Sequence, residues 1–168
     1  MNQATSDLEL GKAAEHLVAA DLILQGHRAF LADQGLPYDV LVDVDGRILR
    51  LQVKATRGQR AIAQRVLTTP GYHFHVRRCG KGGRRLYADT EFDLVAFVAL
   101  DIRVIAYMPF AEAVRQVIIL RPPGVIPAKH AIRTGNIDQF PFDAALARAT
   151  GQTFREVSDE RRLAAKAV

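Results

Sequence analysis

PYDVLVDVDGRILRLQVK, residues 37–54, is the stretch that decides the fold. Two short apolar runs, Val40–Val44 and Ile48–Val53, flank Asp45-Gly46, a dipeptide suited to a tight turn with positive φ. The stretch therefore predicts a β-hairpin. With Asp45 and Gly46 as the two turn residues, Asp39 stands directly opposite Gln52, and a longer turn with the same centre keeps that pairing. Side chains two apart on a strand share a face, so Lys54 lies on the side of Gln52, one step diagonal from Asp39. The opposite face, Val40, Val42 and Val44 against Leu49, Leu51 and Val53, is wholly apolar and is expected to be buried. An acid, an amide and an amine are thereby held on one face of a rigid support, which is what a catalytic site requires.

Working outward, 168 residues of which 49% are apolar suit one globular domain with a sizeable core. A formal charge of +5 and a pI near 9.7 point to a polyanionic partner, nucleic acid first among them. The single cysteine, Cys79, excludes an internal disulfide and suits a reducing compartment. The opening MNQATSDLELGK carries acids and no apolar signal core, and the longest apolar run, Leu94–Leu100, is too short to span a bilayer as a helix. A soluble cytoplasmic protein without a membrane partner is expected.

Ser6 or Asp7 can cap a helix that continues to Gln25 and stops at Gly26. Leu8, Gly11, Glu15, Val18 and Leu22 form one stripe of it, with Glu15 its only charge; a second stripe runs through Leu10, Ala14, Leu17 and Leu24 and contains Asp21. Either acid could be the one that matters, or Glu15 could simply edge an apolar face. His27–Leu31 reads as a first strand. After Lys54 the pattern breaks into a basic loop or short helix carrying Arg57, Arg60 and Arg65. Tyr72–Arg78, Arg84–Ala88, Phe92–Leu100, Arg103–Met108 and Val117–Leu120 read as strands, with Pro109 opening a short helix in the first helical position. Residues 122–141 are rich in Pro and Gly and carry no assignment. Phe142–Thr150 and Phe154–Ala167 read as helices split by Gly151, a helical extension from about residue 141 of the single domain 1–168.

Several chemistries are excluded. CGKGG, residues 79–83, is no P-loop, since the glycine required five positions before Gly80 is His75 and neither Ser nor Thr follows the lysine. Neither serine, Ser6 nor Ser158, sits in a nucleophile elbow. His73, His75 and Cys79 lack the patterning of a structural zinc site, and an ordinary polar strand face explains them better. Asp39, Gln52 and Lys54 remain, with Glu15 as a fourth. A hard cation such as Mg²⁺ takes one or two carboxylates and keeps waters, so Asp39 and the Gln52 amide oxygen suit it. Lys54 suits an attacking water or the charge that develops on a phosphate. A surface acid paired with a base across a hairpin is the commonplace alternative.

The order and spacing of Gly11, Lys12, Ala14 and Glu15, then Pro37-Tyr38-Asp39, then Gln52-Val53-Lys54 resemble the PD-(D/E)XK nuclease superfamily. Within it they are closest to the Holliday-junction-resolvase-like branch and to group I intron homing endonucleases of that fold. The resemblance covers Leu8 to Thr56 and weakens through FDLVAFVALD, residues 92–101. It implies an α/β, restriction-endonuclease-like fold, with a mixed central β-sheet flanked by helices, and Mg²⁺-dependent hydrolysis of DNA phosphodiesters, with Mn²⁺ as a substitute. By motif position Asp39 matches the metal-binding acid, Lys54 the catalytic lysine and Glu15 the helix acid of resolvase-like members. Gln52 departs from the usual Asp or Glu and is expected as a further metal ligand; the same departure fits an inactive DNA-binding module of the same fold. Double-stranded or branched DNA is the expected partner, contacted by Arg57, Arg60, Arg65, Arg77, Arg78, Lys81, Arg84 and Arg85. A homodimer or higher symmetric oligomer would present two such sites.

Overall fold

The computed structural model describes residues 6–61, 70–80, 83–85, 87–88, 90–113, 117–126 and 135–151. Helix α1 (Asp7–Leu24) opens with a capping box: Ser6 Oγ accepts from the Glu9 N–H at 3.2 Å, and Glu9 Oε2 accepts from the Ser6 N–H at 2.6 Å. Two of the donors orphaned at a helix start are thus satisfied. The buried residues of α1 are Ala14, Val18, Ala19 and Leu22. Its apolar face therefore runs between the two expected stripes, and Leu8 and Leu24 are 81% and 87% exposed. Glu15 flanks the buried stripe.

The hairpin forms in the expected register. β1 (Arg28–Leu31) pairs antiparallel with β2 (Val40–Val44), and β2 pairs antiparallel with β3 (Arg47–Thr56), Val40 facing Leu51 and Val44 facing Arg47. Asp45 (φ 52°) and Gly46 (φ 83°) make the two-residue turn, the backbone twist that matches paired strands. Asp43 Oδ1 accepts from the Gly46 N–H at 2.8 Å and tightens it.

β3 continues two residues past Lys54 because β7 (Leu94–Ala99) lies parallel to it from Leu51↔Leu94 to Thr56↔Ala99. β8 (Val104–Pro109) pairs antiparallel with β7, giving a mixed five-stranded sheet of order β1-β2-β3-β7-β8. The chain between β3 and β7 carries β4 (Tyr72–His75), β5 (Arg78–Gly80) and β6 (Gly83–Arg85). β4 pairs with β9 (Val117–Leu120), and β5 with β6. The strand expected over Tyr72–Arg78 is thus split in two, and the expected return strand is shorter and earlier. Pro109 ends β8 in an extended conformation (φ −55°, ψ 138°), and the turn after it, Phe110–Glu112, is a 3-10 helix. Among residues left without assignment, Arg121 and Asn136 form a parallel bridge and Ile137–Gln139 a 3-10 turn. Helix α2 (Phe142–Thr150) has the expected bounds; the helix expected over residues 154–167 lies outside the described residues.

Alternation along the strands sorts the core into two layers. Val40, Val42, Leu49, Leu51, Val53, Leu94, Ala96, Val98 and Tyr107 pack under α1 and α2. Val95, Phe97, Ala106 and Met108 point the other way, against Tyr72, Phe74, Ile118, Leu120, Phe92, Phe110 and Ile137. β7, apolar at every position, is buried on both faces. The second cover stops near β3, and on the β1–β2 side Phe30 and Ile48 are 55% and 53% exposed. Among the described residues no helix is long and apolar enough to cross a membrane.

Candidate active site

Asp39, Gln52 and Lys54 lie on the second face of the sheet, at the border where its cover ends. The Asp39 backbone is pinned on both sides: its N–H donates to Leu51 O at 2.8 Å, and its carbonyl accepts from the Ala32 N–H at 2.9 Å. Its carboxylate oxygen Oδ2 accepts from the Val53 N–H at 2.7 Å and from Gln52 Nε2. Gln52 Nε2 also donates to Val53 O at 3.2 Å, and the residue is only 7% exposed. The hairpin therefore brings residues 39 and 52 into contact, as the register requires. The amide nitrogen of Gln52, not its oxygen, faces the acid.

Burial pushes the Asp39 carboxyl above its ordinary value; the Val53 amide opposes this, the Glu15 charge adds to it, and Lys54 and Lys12 oppose it. Glu15 is thus the helix acid that the fold brings into the field of Asp39. Its Oε2 accepts from Lys12 Nζ at 2.8 Å, one turn earlier on α1. Both carboxylates line a cleft of about 450 Å³ between α1 and the loop before β2, together with Leu8, Lys12, Asp33 and Tyr38. Asp21, the other candidate, is engaged elsewhere: its Oδ2 accepts from the Tyr107 hydroxyl at 2.5 Å and from Gln25 Nε2 at 2.7 Å. Burial, and then the Asp21 carboxylate, hold the Tyr107 phenol far above its ordinary value, so it remains a donor.

Lys54 Nζ donates to the Tyr87 hydroxyl at 2.8 Å and to Arg77 O at 3.4 Å, and lies 4.9 Å from the centroid of the Tyr87 ring. Tyr87 escaped the sequence reading. It stands 33 residues from Lys54, near the end of the return strand expected over Arg84–Ala88, where no motif assigns it a role, and only the path of the chain between β6 and β7 brings it there.

The basic residues are placed unevenly. Arg57 is exposed, its Nη2 3.3 Å from Asp7 Oδ1, and Arg60 is exposed on a backbone bridge to Gly71. The Nε of Arg77 is buried with no hydrogen-bond partner among the described residues. Arg78 faces Arg85 in the β5–β6 register and Arg84 faces Cys79. Arg65 and Lys81 lie outside the described residues. Among the described residues no group of three or more His, Cys, Asp or Glu side chains gathers as a metal site. Asp39 and Glu15, with Asp33 lining the same cleft, are carboxylates that could hold a cation.

No protein-family model matches the chain, and no curated protein matches it significantly. Among solved structures it is similar to a bacterial homing endonuclease, I-Ssp6803I, with a TM-score of 0.63 and 18% sequence identity over 88% of this chain and 96% of that one. At such identity the likeness is one of fold: this chain shares the overall α/β fold of that homing endonuclease.

Proposed function

We propose that the chain is a Mg²⁺-dependent DNA endonuclease of the PD-(D/E)XK fold, a hydrolase of phosphodiester bonds in which Mn²⁺ serves as a substitute. The observation that carries this reading is the convergence of Asp39 and Gln52 across the β2–β3 hairpin with Lys54 beside them and Glu15 within electrostatic reach. Two carboxylates, one held against burial by a backbone N–H, fit a hard cation that keeps most of its waters. Once bound, such an ion would polarise a phosphate oxygen and acidify a water. Asp39 and Glu15 would hold it, and the Val53 N–H fixes the Asp39 carboxylate in direction. Lys54 brings an ammonium to the same face, where it can steady charge developing on the phosphate.

The +5 charge suits double-stranded or branched DNA, in line with the endonuclease whose fold the chain shares. One such site cuts one strand, so a homodimer or higher symmetric oligomer, acting in the cytoplasm, completes the reading. A second reading, an inactive DNA-binding module of the same fold, is favoured by one observation: the Gln52 amide turns a donor, not an oxygen ligand, towards Asp39. Cleavage of plasmid and branched DNA in Mg²⁺, Mn²⁺ and EDTA separates the two. Asp39→Ala and Lys54→Ala are expected to slow metal-dependent cutting by about a hundredfold or more while DNA affinity holds. Binding without cutting would select the inactive module, and equal cutting by both variants would place the activity elsewhere.

A further inference from the structure

We propose that Tyr87 is a positioning residue that sets where the Lys54 ammonium stands; this rests on the nuclease reading. The Tyr87 ring is wedged against the second core layer, edge-on to Phe92 with centroids 4.8 Å apart and to Phe110 at 6.5 Å, and those two rings pack on each other at 4.4 Å. Its hydroxyl is therefore placed by the core and not by a mobile loop side chain. Lys54, by contrast, carries its charge on a flexible four-carbon stem. The hydroxyl at 2.8 Å and the Arg77 carbonyl at 3.4 Å hold its end from two sides, with the centroid of the Tyr87 ring 4.9 Å away.

The chemistry of these tethers matters. Both acceptors are neutral, so neither neutralises the ammonium as an ion pair with a carboxylate would. The ammonium also lies in the field of the Asp39 carboxylate, beside which a phosphate would enter. Position is the other half: displacement of a catalytic group by about 1 Å can cost about a hundredfold in rate.

Tyr87→Phe removes the hydroxyl and keeps the ring and its packing; Tyr87→Leu removes both. In single-turnover cleavage at saturating DNA, Tyr87→Phe is expected to slow cutting about ten- to a hundredfold with an unchanged Kd for DNA. Because Tyr87 acts through Lys54, the double variant Lys54→Ala/Tyr87→Phe should cut no more slowly than Lys54→Ala alone. A readout independent of cutting is the NMR resonance of the Lys54 ε-methylene in protein labelled with ¹³C-lysine, identified by its loss in Lys54→Ala. The ring current should displace it from its random-coil position in wild type and in Tyr87→Phe, and release it in Tyr87→Leu. Wild-type cutting by Tyr87→Phe, multiplying losses in the double variant, or an unshifted Lys54 resonance would each overturn the inference. A wild type that cuts no DNA would end the nuclease reading, while the resonance still decides whether Tyr87 holds Lys54.

Discussion

Replacing Gln52 by Glu sets a second carboxylate against Asp39 where water screens it poorly. In the wild type Gln52 is 7% exposed, and its Nε2 donates both to Asp39 Oδ2 and to Val53 O. Glutamate keeps the shape and exchanges that donor for an acceptor, so both hydrogen bonds are lost while both carboxyls are ionised. Two unit charges about 3 Å apart repel by about 5 kcal/mol at an effective dielectric of about 20. The pair escapes most of that by sharing one proton, as adjacent carboxylates do. The cost at pH 8 is then the free energy of holding that proton, about 1.4 kcal/mol for each pKa unit. A metal-free destabilisation of about 2–5 kcal/mol at pH 8 follows, shrinking towards pH 5. The sign is that of a carboxyl raised on folding: the stability it contributes is present at low pH and lost as pH rises through the folded pKa. Mg²⁺ should restore more stability to the variant than to wild type, because the added charge attracts the cation at ligand distance. Urea denaturation at pH 5, 6.5 and 8, in EDTA and in Mg²⁺, measures all of this, with calorimetric Mg²⁺ titration beside it. Equal stability of variant and wild type at pH 8 in EDTA would mean that positions 39 and 52 do not meet. Equal Mg²⁺ affinity would mean that position 52 lies away from the cation.

Asp39 itself is raised by burial, so in EDTA the stability linked to it is present at low pH and lost as pH rises through its folded pKa. Asp39→Asn, with no charge to bury, is expected to flatten the fall of stability as pH rises above the ordinary carboxylate range, and an unchanged slope would contradict that burial. Tyr107→Phe removes a hydroxyl bonded at 2.5 Å to the Asp21 carboxylate and should cost about 1.5–3 kcal/mol in urea unfolding; a loss near zero would show the bond to be idle. DNA affinity should fall steeply with salt, and Arg60→Ala is expected to lower the slope of log affinity against log salt by about 1; an identical slope would remove Arg60 from the phosphate contacts.

Where neighbours along the chain decide, the residues alone were enough. Asp45-Gly46 admits the two positive φ values of the turn, the flanking valines and leucines mark a face for burial, and the pairing of Asp39 with Gln52 follows by counting from that turn. Ser6 and Glu9 cap α1, and Phe142–Thr150 is a helix between Pro141 and Gly151, for reasons equally local. Tertiary structure decided the rest. α1 carries two acids on adjoining stripes, and only its roll over the sheet sends Glu15 towards Asp39 and Asp21 to Tyr107. The run after Lys54 ends no strand until Thr56, because β7 arrives alongside from 43 positions downstream. The hydroxyl that meets Lys54 belongs to a tyrosine that the sequence marked only as part of an expected strand, placed by the rings of Phe92 and Phe110. Periodicity and turn chemistry record what a residue does to its own few neighbours; the field at Asp39 and the anchor of Lys54 come from contacts between segments that pack together only when both layers of the core close.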